Sequence, residues 1–161
     1  MTHDADLPIA RIRELADDPR FLSAMRDFYD RLDERIAAHD PVCHRRGDCC
    51  RFDAFDHRLY VTPAELACFV GTVETEPAAS DVAACPYQVG GLCRARHARP
   101  TGCRVFFCES AGAGWQESLT ESALTELRRL HRRFDLPYAY VEWLCALRAG
   151  RRPSGSGRRG V

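Results

Sequence analysis

Eight of the chain's nine cysteines fall between positions 43 and 108, and seven of these form one pattern that constrains the fold more than any other feature of the 161 residues. They run Cys43-x5-Cys49-Cys50, then, after a gap, Cys85-x7-Cys93-x9-Cys103-x4-Cys108. The segment from Cys85 to Cys108 has too many Gly, Pro and Cys residues for long regular elements, so it needs bridges or ligands to organise it. The start of the chain, Met1 to Ala10, is acidic and lacks the basic start and apolar stretch of a secretory signal. The expected location is therefore cytoplasmic, where thiols stay reduced. An odd number of cysteines in that setting argues for metal binding rather than a disulfide framework. Thiolate ligands must converge on one centre, which loops permit more readily than a rigid amphipathic helix.

Composition narrows the chemistry further. All 23 basic residues are arginine, and the chain has neither lysine nor asparagine. A Walker phosphate loop, a lysine Schiff base and N-glycosylation are thereby excluded. No apolar run approaches the roughly 20 residues of a membrane-spanning helix, so no membrane partner is expected. Residues 1 to 150 read as a single cysteine-cluster domain with its metal lobe at about 43–108. Residues 151–161 (RRPSGSGRRGV) read as a disordered Arg/Gly/Ser tail. Arginines without interleaved aromatics are more often a solvated end than a nucleic-acid site, and nucleic acid is not an expected partner.

Outside the cysteine segments the pattern is helical. Ile9, Ile12 and Leu15 mark a short helix. After Pro19, the residues Phe21, Leu22, Met25, Phe28, Tyr29, Leu32 and Ile36 recur at helical spacing up to Asp40-Pro41. Arg58 to Thr62 reads as a short strand, and Thr62-Pro63-Ala64-Glu65 as the capping box of a helix ending at Gly71. Arg104 to Cys108 reads as a strand. Ser118 with Glu121 marks the start of a helix carrying Leu124, Leu127, Leu130, His131 and Phe134, and Pro137 opens a last helix that Gly150 stops. The expected fold is mainly α with a small irregular β/loop metal-binding lobe (α+β), a helical bundle flanking a cysteine-rich metal lobe.

Two cysteines, Cys68 and Cys145, lie in apolar helical contexts and read as core. The other seven, Cys43, Cys49, Cys50, Cys85, Cys93, Cys103 and Cys108, are the candidate metal ligands. They lack the paired CxxC knuckles of ordinary zinc fingers and the runs of known iron–sulfur motifs. Side chains of adjacent residues are expected to point different ways. Cys49 and Cys50 would then span two metals, supply one ligand and one spare thiol, or bind a multi-iron cluster.

The stretches CHRRGDCCR (43–51), CPYQVGGLC (85–93) and RPTGCRVF (99–106) together resemble the YkgJ-type cysteine-cluster family of zinc- or iron-chelating domains. Order and spacing agree over residues 43–108. Members carry C-x2-C-x2-C-C at the first cluster, whereas Arg46 stands at the second of those positions here. Either Cys108 replaces that thiolate or one site has fewer ligands. The resemblance implies a metal ion, zinc or iron with an iron–sulfur cluster among the options, and no particular reaction. The family includes relatives of flagellin lysine N-methylase, but the chain has no nucleotide-binding glycine motif to hold a methyl donor.

Arg51, Arg99 and Arg104 stand beside candidate-ligand positions, where a guanidinium offsets accumulated thiolate charge, and are the candidates for that supporting role. His44 and His97 are read as exposed or hydrogen-bonded, and His57 and His131 as core or capping residues. His131, Tyr138, Tyr140, Glu142 and Trp143 are read as packing, so no catalytic residue is named. The expected function is a metal-chelating cysteine-cluster protein. The alternatives are a metal- or iron–sulfur-dependent enzyme acting on a protein or small molecule, and a zinc-stapled interaction module with a basic tail.

Overall fold

A computed structural model describes residues 7–43, 48–51, 58–78, 84–107 and 114–151. Six helices carry the architecture: α1 (Ile9–Ala16), α2 (Pro19–Ala37), α3 (Pro63–Thr72), α4 (Thr101–Val105), α5 (Trp115–Arg133) and α6 (Trp143–Gly150). Two small antiparallel pairs join them, β1 (Tyr60–Val61) with β4 (Val141–Glu142), and β2 (Gln88–Val89) with β3 (Leu92–Cys93). The fold is thus mainly helical with minor β structure, as expected.

Local chemistry explains the helix starts. Asp18 caps α2 by accepting from the Arg20 and Phe21 N–H groups, and Pro19 supplies a helical φ without wasting a donor. Along α2, Phe21, Met25, Phe28, Leu32 and Ile36 are buried, each adding about 1.5–3 kcal/mol of burial free energy. The α3 capping box forms as read, with Thr62 Oγ1 accepting from the Glu65 N–H and Glu65 Oε2 accepting from the Thr62 N–H. Cys68 is buried on α3 among Leu66, Ala67 and Phe69. The Cys85–Val105 region adds Cys85, Tyr87, Ala95, Ala98 and Val105 to the same buried apolar cluster as the helices.

Five expectations need correction. The strand expected at Arg104 to Cys108 is replaced, over its first two residues, by the end of helix α4; Cys108 lies outside the described residues. The last helix begins at Trp143 rather than Pro137, because residues before it run extended so that β4 can pair with β1, with Glu142 capping. Helix α5 starts at Trp115, ahead of Ser118, after Gly114 adopts a positive φ of 71°. Cys145 is exposed rather than core, since it lies off the buried face made by Trp143, Ala146 and Gly150. The expected strand at 58–62 shrinks to Tyr60–Val61, because Thr62 serves as the cap of α3.

Candidate metal centre

Three cysteine segments meet at one place, held there by polar contacts to backbone. Cys49 and Cys50 occupy a 3-10 turn, Asp48–Cys50. The Cys85 N–H donates to the Cys50 carbonyl at 2.9 Å, tying the second segment to the first. Beyond Cys85, a hairpin turn at Gly90 and Gly91, both with positive φ, sets Cys93 opposite Gln88.

The third segment is anchored by two buried charged side chains. Glu65, 2% exposed, accepts from the Thr101 N–H through Oε1 at 2.8 Å and so fixes the start of α4. Arg104, 6% exposed, donates to the Arg99 and His97 carbonyls and to Asp33 Oδ2, all at 2.7 Å, while its guanidinium lies over the Tyr29 ring. These contacts hold the loop carbonyls that precede Cys103. Satisfied polar groups thus position this loop alongside the packing of its few buried apolar residues.

The result is a cavity of about 320 Å3 whose lining includes Cys43, Cys49, Cys50, Cys85, Cys93 and Cys103, together with Phe69, Tyr87 and Trp143. Six of the seven sequence-selected cysteines therefore share one cavity, and Cys108 lies outside the described residues. Cys68 and Cys145 do not line it. Contrary to the expected divergence of vicinal side chains, Cys49 Sγ and Cys50 Sγ stand only 3.8 Å apart. Two thiolates on one tetrahedral ion, each about 2.3 Å from the metal, would be separated by about 3.8 Å. The pair shares a hydrogen bond as thiols, and at this spacing it suits two of the ligand positions of a zinc or iron ion. No group of three or more His, Cys, Asp or Glu side chains among the described residues is close enough to form a complete metal site.

Protonation within the cavity is uneven. A hydrogen bond from Cys50, reinforced by one from the Trp143 indole, lowers Cys85 to about 7 despite its burial. Cys50 is pushed far up, first by its hydrogen bond with Cys49 and then by that with Cys85. Burial, then the neighbouring thiols Cys85 and Cys49, raise Cys103, and burial raises Cys93. A cation entering this site would displace the shared thiol protons.

The three arginines separate. Arg99 lines the cavity, donates to the Cys103 carbonyl at 3.3 Å and favours the charged forms of Cys103 and Cys93. Arg104 is committed to Asp33 and the loop carbonyls, so its visible work is scaffolding. Arg51 is exposed. His97 is exposed with Nε2 3.3 Å from the Thr72 carbonyl, while His44 and His57 lie outside the described residues. His131 is a capping residue, as read: its Nε2 accepts from the Ala64 N–H at 3.2 Å, and Nδ1 faces the Leu136 carbonyl at 3.0 Å. Trp143 was missed as a partner of the cysteines. Its only sequence signal is its place two residues before Cys145, which points to the wrong thiol.

Comparison with family models, curated proteins and solved structures finds no match in any of the three. No helix among the described residues is long and apolar enough to cross a membrane.

Proposed function

We propose that the chain is a cysteine-cluster protein that binds zinc or iron, with an iron–sulfur cluster among the options, and that it belongs with the YkgJ-type chelating domains its motifs resemble. The carrying observation is that six cysteines, 60 residues apart at the extremes, line one cavity. Cys49, Cys50, Cys85 and Cys103 are the core ligands in this reading, and Cys43, Cys93 and Cys108 complete the set. Arg99 offsets thiolate charge beside Cys103. A bound ion would supply structural cross-linking, Lewis acidity or electron transfer according to its identity.

Elemental analysis and a visible spectrum of anaerobically purified protein test the reading. Stoichiometric zinc, or iron with or without labile sulfide, is the expected result. Less than about a tenth of an equivalent of any transition metal would reject it.

A second reading, a metal-dependent enzyme, is favoured by one observation. Another cavity, of about 460 Å3, reaches Cys49 and Cys103 and is lined by Tyr60, Tyr140, Glu117 and Glu121. It offers a small molecule a route to the thiols. Spectra of the metal-loaded protein should then respond to cyanide or added thiols, and unresponsive spectra would remove this reading.

A further inference from the structure

Trp143 is 1% exposed, and an indole N–H buried this deeply is a donor that needs an acceptor. Its acceptor is a sulfur: Nε1 donates to Cys85 Sγ at 3.4 Å. Three contacts fix the direction of that bond. The Trp143 backbone N–H donates to the Leu59 carbonyl at 2.8 Å. Glu142, immediately before it, caps α6 by accepting from the Cys145 N–H. The ring meets Phe69 edge to face, with centroids 4.9 Å apart at 90°. The indole is therefore a rigid donor whose position is set before any ligand arrives.

We propose that Trp143 is a positioning residue of the thiol centre, orienting the Cys85 sulfur into the cavity and drawing negative charge from it through the N–H···S bond. The inference rests on the metal-binding reading and deepens it. Sequence reasoning assigned this outer-shell role to arginines. A neutral indole does the same work without adding a charge to the apolar wall formed with Phe69 and Tyr87. A sulfur relieved of charge is a weaker electron donor, so its charge-transfer transitions to a bound metal lie at higher energy. With iron bound, the same bond favours the reduced state.

The test uses the full chain loaded with a spin-active cadmium isotope. The protein has two tryptophans, so an indole proton spectrum holds two signals, and Trp115→Phe assigns them without touching the cavity lining. Scalar coupling between cadmium and the Trp143 indole proton is expected, transmitted across N–H···S–Cd. This experiment needs no change at Trp143 and so survives a variant that fails to fold. As a second readout, cobalt-loaded Trp143→Phe should show a sulfur-to-metal band at lower energy than wild type, with Trp115→Phe unchanged. Cadmium bound at full stoichiometry without coupling, or superimposable cobalt spectra, overturns the inference while leaving the metal reading intact. Failure of the wild-type chain to take up either ion overturns both.

Discussion

At the scale of single residues, the same side-chain type does different work in different surroundings. Cys103 lines the thiol cavity, whereas Cys68 is buried in the apolar body of α3. Cys103→Ser should therefore lose at least about half of the bound metal, while Cys68→Ser retains it, as read by elemental analysis. Equal loss in both would show the ligand assignment to be mistaken. His131 makes the second residue-scale prediction. Burial depresses its pKa below 6.5, and both ring nitrogens are engaged in the neutral form. Tyr138 packs edge-on against the ring at 5.1 Å, with Arg128 over the tyrosine, and neither contact favours the cation. A depressed folded pKa means that this stabilising contribution is complete above the unfolded value and is lost as pH falls through the folded one. Thermal stability should decline as the pH is taken below 6.5. His131→Gln should flatten that decline and cost about 1–2 kcal/mol at neutral pH through loss of the Ala64 acceptor.

At the scale of elements, caps and close approaches carry more information than strands. Glu65 belongs at once to the α3 capping box and to the start of α4, because its carboxylate accepts from the Thr62 N–H, the Thr62 hydroxyl and the Thr101 N–H. Glu65→Ala leaves three buried donors unmatched and should lower the urea-derived stability by about 3 kcal/mol. Metal affinity should fall with it, since α4 carries Cys103. Gly71 reports on a different contact. A Cβ placed there would collide with the Ala16 carbonyl oxygen at the end of α1 and meet Leu22 Cδ2 at 3.0 Å. Backbone cannot step aside as a side-chain tip can. Gly71→Ala should cost about 1–3 kcal/mol and lower the melting temperature without changing metal content. The capping box was legible because it depends on residues three apart. The conversion of Arg104-Val105 from expected strand to helix was not, because α4 owes its start to Glu65, 36 positions earlier in the chain.

At the scale of the whole molecule, the cysteine segments and the helices share one buried cluster, with Cys50 and Cys85 inside it. On the proposed function, stripping the metal with a chelator should loosen residues 84–107, whose strands and helical turns are short, while the helical far-ultraviolet signal largely survives. Amide exchange should rise by about tenfold or more in that segment and by much less in α2. Uniform exchange across the chain after chelation would contradict this division. The sequence by itself determined which cysteines are candidates and where α1, α2 and α3 lie. Each depends on neighbours within a turn or two, where residue identity and backbone geometry are tightly linked. Only the tertiary structure decided that Cys49 and Cys50 turn their sulfurs to the same place, that Cys145 faces outward, and that Trp143 supplies the donor to Cys85. Those facts join residues up to 58 positions apart, and such a contact is set by the packing of whole elements rather than by any local pattern in the chain.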